Sequence, residues 1–359
     1  MLKCDVMKNW LKLYLNKFLS SKDVLKLIKQ YGSVDNIFAQ NSCDLSKVLN
    51  KNISNLLLDD NYYTDALSCI KQWLTKETKR YIITLDSDYY PSQLASLPLP
   101  PLLFFAEGNI ELLKNKKFAI VGTRNPSRSG LDNAKQFAHE IADQGYTIVS
   151  GLAEGIDASA HTGALNTVAS TIAVLGTGIN KYYPKINVKL QDKIKTDGLL
   201  VSPFMIDEGP KSFHFPNRNK VIVGLSQGCL VIESKLHGGS MISANFAADI
   251  GVEVFAIPGS IHNINSHGCH KLIKNGAKLV ENIHDIFEEI PHQIKHANNI
   301  NLSIEERAVL EIITKDPMKI EEICLYTGMQ INILCDILLN LELKEIVKNS
   351  SHGYYKLND

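Results

Sequence analysis

The stretch that decides the fold runs from Lys117 to Gly176 and reads KFAIVGTRNPSRSGLDNAKQFAHEIADQGYTIVSGLAEGIDASAHTGALNTVASTIAVLG. Short runs of β-branched and apolar residues alternate in it with amphipathic stretches of helical spacing. Near-continuous apolar strands separated by helices are typical of a parallel sheet that helices cover on both faces. The sequence therefore predicts an α/β fold with a Rossmann-like doubly wound parallel sheet.

The same alternation continues through the following hundred or so residues. The predicted strands are FAIVG (118–122), YTIVS (146–150), STIAVLG (170–176), GLLVS (198–202), CLVIES (229–234) and VEVFAIPG (252–259). The predicted helices lie near 130–144, 156–167, 187–196, 216–225, 239–250 and 267–275.

Both flanks of this region have patterns of their own. Residues 1–78 carry apolar side chains at helical spacing, which predicts short helices. The first 30 residues hold seven lysines against two aspartates, and we interpret this as a solvated helical face rather than a nucleic-acid patch. Prolines 91, 98, 100 and 101 argue against a helix and predict an extended segment that leads into the main domain.

The C-terminal region predicts a winged helix. Residues 291–301 are polar and helix-poor, as in a linker, and residues 302–359 predict three short helices followed by a hairpin that turns at 349–353. Residues 301–359 contain six basic and ten acidic side chains, and the expected recognition helix, 329–343, contains no cation. Because phosphate contacts dominate DNA affinity, we predict that this domain packs on another surface of the protein or on a partner.

Composition excludes several classes of protein. The 359 residues suit two or three domains, and 45% apolar with 21% charged residues indicates a globular chain. Basic and acidic residues number 38 each, so an anionic ligand must be held by local geometry rather than net charge.

Seven scattered cysteines without CxxC indicate free thiols. Without a signal-peptide pattern or a long apolar run, we expect a cytoplasmic protein with no membrane span.

Glycine and small polar residues follow the predicted strands. Ligands of open parallel sheets bind outside the carboxyl ends of the strands, near the switch point. Glycines there let backbone N–H groups approach an anion, and the helices that follow add their N-terminal dipoles. We predict a phosphate-binding surface that includes Gly122, Thr123, Arg124, Ser150, Gly151, Gly238, Gly239 and Ser240.

The segment KSFHFPNRNKVIVGLS (211–226) interleaves aromatic residues with cations. Cations in the first turn of a helix oppose the helix dipole, so their placement indicates an anionic partner. Bases stack on aromatic rings while phosphates take the charges, which favours single-stranded DNA, although Phe213 and Phe215 would also suit packing of the loop onto the sheet. The predicted contacts added here are Lys181, Phe215, Pro216, Arg218, Asn219 and Lys220.

Motifs for other chemistry are absent or misplaced. The first turn, GTRNP, is not GxGxxG, and no Walker A sequence occurs, which argues against a dinucleotide site and against ATP or GTP hydrolysis. The match to GxSxG at 224–228 follows a helix and precedes a strand, the reverse of a nucleophile elbow. His161, His214 and His262 have no metal-binding spacing, and we interpret them as loop or core residues. We expect no catalytic residue, metal or cofactor.

Two other functions stay open at this point. Glu233, beside the turn at 238–240, could be the acid or base of an enzyme that hydrolyses the N-glycosidic bond of a small nucleotide. Alternatively, the chain could be a regulatory module that senses a nucleotide-derived signal. Base release that Glu233→Gln abolishes would favour the enzyme, and a bound nucleotide that excludes DNA would favour the sensor.

Six motifs together resemble the DNA-processing protein A family, also called Smf. They are VGTRNPSRSG (121–130), IVSGLAEGIDASAH (148–161), AVLGTGINKYYP (173–184), FPNRNKVIVGLS (215–226), VIESKLHGGSMISANFA (231–247) and IPGSIHNINSHGCHKLIKNGA (257–277). The flanks match more loosely, so the resemblance covers essentially the whole chain. The domains we predict are a helical domain of the SAM or helix-hairpin-helix type (1–78), a Rossmann-like DNA-binding domain (79–290), a linker (291–301) and a winged helix (302–359).

The resemblance implies a non-enzymatic homodimer that binds single-stranded DNA. It implies that the protein protects DNA entering in natural transformation and helps to load the RecA recombinase. The family's motif residues fall on Gly122, Thr123, Arg124, Phe215, Pro216, Arg218, Asn219, Gly238, Gly239 and Ser240. Asn217, Lys220 and His267 stand where members often carry arginine or another basic residue; Lys220 keeps the charge, and the other two predict weaker affinity than is usual in the family.

Overall fold

The computed structural model describes residues 2–290, 303–314, 317–343, 346–350 and 353–356. The chain divides into two compact units, Met1–Gln293 and Ile294–Asp359. The predicted linker over 291–301 lies outside the described residues.

Short helices make up the N-terminal part of the first unit, as predicted. They are α1 (Leu2–Leu15), α2 (Ser21–Tyr31), α3 (Val34–Phe38), α4 (Ser42–Leu45), α5 (Lys51–Leu58) and α6 (Thr64–Lys76). Their apolar core continues onto the neighbouring sheet through Leu103 and Phe105. Lys8 and the buried Lys12 both form ion pairs with Asp60, so these two lysines serve the fold of the helical region.

One nine-stranded sheet forms the centre of the same unit. Its strands are β1 (Arg80–Thr84), β2 (Leu103–Gly108), β3 (Lys117–Val121), β4 (Thr147–Ser150), β5 (Thr171–Val174), β6 (Leu199–Ser202), β7 (Gly228–Val231), β8 (Glu253–Ala256) and β9 (Lys278–Leu279). They lie in the order β1-β2-β6-β5-β4-β3-β7-β8-β9. Pairing from β6 to β9 is parallel, whereas β2 is antiparallel to both β1 and β6.

The order of the strands confirms the predicted doubly wound topology. The chain runs from β3 through β4 and β5 to β6 on one side, and then returns to place β7, β8 and β9 on the other side of β3. The switch point therefore lies between β3 and β7. All six predicted strands are present; those predicted over 229–234 and 252–259 end earlier, at Val231 and Ala256, because their last residues belong to the loops that follow.

The segment at 91–101 differs from the prediction. A one-turn helix, α7 (Ser92–Ala95), follows Pro91, so the expectation that the prolines exclude a helix is wrong. Pro91 precedes the first turn, where a missing N–H costs nothing, and the next proline, Pro98, comes after the helix has ended.

Seven further helices cover the two faces of the sheet, and six of them match predicted helices. They are α8 (Arg128–Asp143), α9 (Ile156–Ala164), α10 (Val188–Asp197), α11 (His214–Gly224), α12 (Gly239–Asp249), α13 (His267–Lys274) and the short α14 (Ile283–Phe287). Phe118 and Ile120 of β3 pack with α8, α9 and α14, whereas Ala119 and Val121 pack with α11, α12 and α13. Successive strand residues point to opposite faces, so one apolar run serves both layers.

The second unit contains three helices followed by a hairpin. They are α15 (Ile304–Ile312), α16 (Ile320–Thr327), α17 (Ile331–Leu343), β10 (Val347–Ser350) and β11 (Gly353–Lys356). Val309, Ile323, Leu338 and Val347 belong to its apolar core. No single helix among the described residues is long and apolar enough to cross a membrane; α16 and residues 331–342 satisfy that test jointly but meet at a bend of 110°.

Candidate nucleic-acid interface

A pocket of about 270 Å³ lies where the loops after β3, β4 and β7 meet the first turns of α11 and α12. It occupies the switch point, where ligands of open parallel sheets bind. We call it the rim pocket. Its lining residues are Val121, Gly122, Thr123, Arg124, Ala153, Asp157, Phe215, Pro216, Arg218, Asn219, Ser234, Lys235, Gly238, Gly239, Ser240, Ile242 and Ser243.

The loop after β3 has a fixed base. Thr123 N–H donates to the Glu233 carbonyl at 2.8 Å, and the Thr123 carbonyl accepts from Ile156 N–H at 3.3 Å. Gly155 has φ +81°, and a Cβ there would lie 2.6 Å from the Thr123 carbonyl oxygen, so this close approach requires glycine. Arg124, which is exposed, therefore extends from backbone that its neighbours hold in place.

Arg218 is buried in the wall of the rim pocket, at 4% exposure. Its Nη1 donates to the Gly151 carbonyl and, at 2.7 Å, to the Val174 carbonyl, which ties α11 to the ends of β4 and β5. Burial lowers the pKa of Arg218 to about 10, against the opposing effect of Asp157, so the guanidinium is charged at neutral pH. Arg218 thus has a structural role and also places a positive charge at the pocket.

Asp157 lies beside Arg218 and is buried as well. It accepts a hydrogen bond from Gly151 N–H at 3.1 Å. Burial raises the pKa of Asp157, while the positive charge of Arg218 acts in the opposite direction. The arginine and the carboxyl group therefore fix the loop after β4 from two sides.

His161 supports the same loop and is fully buried. Its Nε2 accepts from Leu152 N–H at 3.2 Å, and its Nδ1 lies 2.7 Å from the Thr171 hydroxyl. Because that hydroxyl donates to the Ile148 carbonyl at 2.7 Å, Nδ1 is the donor to Thr171. Burial lowers the pKa of His161 to about 3, so the ring is neutral. The expectation that this histidine belongs to the core is confirmed.

Phe215 lies between a cation and a second ring. The guanidinium carbon of Arg124 is 5.4 Å from the centroid of the Phe215 ring, and the Tyr183 ring lies 5.7 Å away at an angle of 41°. A Cβ on Gly176 would lie 2.8 Å from the same ring, so glycine permits this position. Phe213 does not line the rim pocket and is 59% exposed, next to Lys211. The structure thus distinguishes the two phenylalanines.

The first turn of α12 contributes backbone N–H groups to the rim pocket. Gly238 is its N-cap residue and makes no side-chain cap, and the first N–H groups of any helix lack an intrahelical partner. The helix dipole adds a positive field at the same place. Ser240 Oγ donates to Ser234 Oγ at 2.8 Å, which fixes the turn.

Four predicted contact residues do not line the rim pocket. The Ser150 hydroxyl donates to the Ile120 carbonyl, and both backbone groups of Gly151 bind Asp157 and Arg218. Lys220 lies on another side of α11, over the Phe246 ring, beside a cavity that also includes Asn217. Lys181 is exposed in the loop after β5. The first two residues support the pocket from beneath, and the two lysines lie outside it.

Seven lining residues of the rim pocket were not selected from the sequence, and Asp157, Ser234 and Lys235 are among them. Ser234 and Lys235 follow β7, so the rule that loops after parallel strands carry the site would have included them. No sequence pattern predicts Asp157, because its role at the pocket comes from its contact with the buried Arg218.

Glu233 does not face the rim pocket. Its carboxylate accepts from Ser127 N–H at 3.0 Å and from the Ser127 hydroxyl at 2.5 Å, at the start of α8. This is a helix-capping role, which does not favour the N-glycosidic hydrolase. Among the described residues, no cluster of three or more His, Cys, Asp or Glu side chains could hold a metal ion.

Comparison with protein families identifies the two units. Residues 81–291 match the family described as DNA recombination-mediator protein A, and residues 294–350 match the DprA winged helix domain. The chain belongs to the DprA family. Its central sheet and its C-terminal unit correspond to the two domains that these family descriptions name, and the resemblance seen in the sequence motifs is thereby confirmed.

Two similar relatives are named DNA processing protein DprA. The one from Streptococcus pneumoniae is 43% identical over 217 residues, which cover 60% of this chain and 77% of the relative. The one from Bacillus subtilis is 41% identical over 212 residues, which cover 59% of this chain and 71% of the relative.

Two solved structures resemble this DprA-family chain. The X-ray structure of DprA from Streptococcus pneumoniae has a TM-score of 0.70 and 36% identity, over 79% of this chain and 99% of that chain. A structure of DNA processing protein A from Helicobacter pylori, described as showing a unique single-stranded DNA binding mode, has a TM-score of 0.53 and 30% identity, over 58% of this chain and 94% of that chain.

Proposed function

We propose that this chain binds single-stranded DNA at the rim pocket and acts as a non-enzymatic recombination mediator in the cytoplasm. In this role it protects DNA taken up in natural transformation and helps to load RecA. The observation that carries the proposal is the convergence of three cations, Arg124, Arg218 and Lys235, with the Phe215 ring at one pocket. The relative from Helicobacter pylori, whose structure is described by its single-stranded DNA binding mode, supports it.

The chemistry of the rim pocket suits a flexible polyphosphate chain. Arg124 and Lys235 are exposed and able to follow the backbone of a strand, while Arg218 adds a fixed charge. The N–H groups at the start of α12 complement phosphate oxygens. A base stacks on an aromatic face whatever its identity, so the Phe215 ring favours binding without sequence preference.

Fluorescence anisotropy with labelled oligothymidylate tests the proposal. Arg124→Ala removes a cation of the rim pocket, and the matched control, Arg128→Ala, removes an exposed cation that does not line it. We expect the first variant to weaken binding about tenfold or more and the control to bind normally. The slope of log K against log salt should become less steep by about 0.7 in Arg124→Ala. Equal affinities of the two variants would contradict the assignment.

The dimer and RecA loading rest on membership of the DprA family. Ile261 and Ile264, in the loop between β8 and α13, are 73% and 59% exposed, which favours a self-association surface. Light scattering should give twice the chain mass of 40.0 kDa, and Ile261→Asp should shift it to one chain mass. The protein should also accelerate RecA filament formation on strands covered by single-strand binding protein. A monomer at micromolar concentration, or no acceleration, would contradict these parts.

The absence of a chemical step is part of the same proposal. Glu233, which the hydrolase alternative requires, caps α8 through Ser127. We therefore expect no release of free base from deoxynucleoside monophosphates. Release that depends on Glu233, shown by its loss in Glu233→Gln, would overturn this.

A further inference from the structure

A second cavity, of about 420 Å³, lies between α6, the edge strand β1 and its neighbour β2, α10 and the loop after β5. We call it the edge cavity. It shares no lining residue with the rim pocket, and all of its lining residues belong to the first unit.

The wall of the edge cavity contains a buried ion cluster. Arg80 of β1 and Glu107 of β2 are direct cross-strand neighbours, and their side chains are 8% and 4% exposed. Arg80 Nε donates to Glu107 Oε1 at 2.7 Å, and Lys195 Nζ lies 2.8 Å from the same oxygen. The carboxylate therefore uses one of its two oxygens for both cations.

This cluster leaves a donor and an acceptor without partners. Arg80 Nη1 donates to the Trp73 carbonyl at 3.1 Å, but within the described part of the chain neither Arg80 Nη2 nor Glu107 Oε2 has a hydrogen-bond partner. Both atoms belong to side chains that line the edge cavity. A molecule in the edge cavity can supply both partners.

Two buried atoms in the same wall lack hydrogen-bond partners: Trp73 Nε1 and Gln191 Oε1. The Gln191 amide nitrogen, in contrast, donates to the Lys181 carbonyl at 3.0 Å, so the amide is held by one end. Apolar side chains, among them Ile179 and Leu200, complete the wall. The edge cavity thus combines apolar surface with unpaired donors and acceptors.

The charges around the edge cavity favour a neutral ligand. Three cations, Lys76, Arg80 and Lys195, stand against three carboxylates, those of Glu107, Asp192 and Asp207. Glu107 is already neutralised by two of the cations. A phosphate would find no excess of positive charge here, in contrast to the rim pocket.

We propose that the edge cavity binds a nucleobase, either as a free nucleoside or as a base of a bound strand. Every nucleobase carries an N–H donor next to an acceptor on one edge, which complements Glu107 Oε2 and Arg80 Nη2. The volume lies within the usual range of small-molecule sites, about 300–1,000 Å³. Tyr182 lines the edge cavity and its neighbour Tyr183 packs on Phe215 of the rim pocket, so the loop after β5 connects the two cavities.

Alkylation of Cys69 tests the proposal directly. Cys69 is exposed and lines the edge cavity, whereas the exposed Cys43 and Cys335 do not and serve as internal controls. The full chain is treated with iodoacetamide in the presence of each of the four deoxynucleosides, or of deoxyribose alone, and the three cysteines are followed by mass spectrometry. At ten times the dissociation constant, a nucleoside should slow Cys69 alkylation about tenfold. Cys69 alkylation that no nucleoside slows would overturn the proposal.

Calorimetry with two variants assigns the binding to the ion cluster. Glu107→Gln should weaken nucleoside binding about tenfold or more, and Glu111→Gln, which changes an exposed carboxylate outside the cavity, should not. Gln72→Trp fills the cavity from an exposed position on α6 and leaves the cluster intact, so it tests the site even if Glu107→Gln misfolds. Normal binding by Gln72→Trp would overturn the proposal.

The source of the base is decided with Arg124→Ala. Nucleosides that protect Cys69 equally in wild type and in this variant assign the edge cavity to a free nucleoside. Oligothymidylate that protects Cys69 in wild type but not in the variant assigns it to the bound strand. If neither ligand protects Cys69 in the wild type although oligothymidylate binds there with normal affinity, the edge cavity is contradicted and the rim pocket is not.

Discussion

Arg124 holds its guanidinium carbon 5.4 Å from the centroid of the Phe215 ring. Arg124 lies in the loop after β3, and Phe215 lies in the first turn of α11. The pair brings a cation for a phosphate and a flat face for a base to the same edge of the sheet. Neighbouring parts of one nucleotide can therefore be bound by neighbouring side chains.

Replacement of the ring should weaken DNA binding without changing its salt dependence. Phe215→Leu removes a stacking surface, which is worth about 1–3 kcal/mol per base. Phe213→Leu is the matched control, because Phe213 is exposed outside the rim pocket. Anisotropy at two salt concentrations should show weaker binding and an unchanged slope for Phe215→Leu alone. A loss in both variants would mean that the segment acts as a whole and not through the one ring.

Glycine at position 151 should be required for stability. A Cβ there would lie 1.9 Å from Arg218 Nη1, and the displaced guanidinium would lose its bonds to two carbonyls. We expect Gly151→Ala to lower the free energy of unfolding by about 2 kcal/mol or more, measured by urea denaturation. Gly239→Ala, where a Cβ would meet nothing within 4 Å, should change it by less than about 0.5 kcal/mol. Equal stability of both variants would contradict the role of Arg218.

Local patterns allowed the sheet and its helices to be predicted. An apolar run such as FAIVG followed by a glycine turn specifies a buried strand whatever the rest of the chain does. The prediction was wrong at α7. The number of prolines between 91 and 101 argued against a helix, but none of them lies within Ser92–Ala95, so a single helical turn fits between them. Both cases depend on residues close together in sequence.

Such local patterns do not predict which side chains meet at the rim pocket. Arg218 and Lys220 both lie in the first turns of α11, and the sequence predicts a DNA contact for each of them. Two residues apart on a helix means about 200° of rotation, so they point to different sides. Which side faces the rim pocket depends on how α11 packs against β4 and β5, and no local pattern specifies that packing.

Lys235 should contribute more to DNA binding than Lys220. Both lysines are exposed, but Lys235 lines the rim pocket and Lys220 lies beside another cavity. Lys235→Ala should weaken binding of oligothymidylate and make the salt slope less steep by about 0.7, while Lys220→Ala should leave the slope unchanged. The opposite order would show that the strand follows the Lys220 side of α11.

His161 should make stability depend on pH. Its pKa is lowered to about 3 in the folded protein from an ordinary value of 6.5, so the unfolded chain binds the extra proton between these values. The contribution of the neutral His161 ring to the free energy of unfolding is fully present above pH 6.5. It is lost as the pH falls towards 3, by about 1.4 kcal/mol per pH unit. Urea denaturation from pH 7 to 4 should show a shallower dependence in His161→Gln. The same dependence in both proteins would contradict a neutral, buried His161.

The winged helix should contribute little to DNA affinity. Its helix α17 contains no lysine or arginine, and residues 301–359 carry four more acidic than basic groups, so the domain lacks the phosphate contacts that dominate binding. A chain that ends at residue 296 retains the whole first unit and every residue of the rim pocket. Its affinity for oligothymidylate, with the measurement corrected for any change in self-association, should stay within about threefold of the full chain. A loss much larger than this would show that the acidic domain binds DNA through groups other than cations, and the rim pocket would then be only part of the interface.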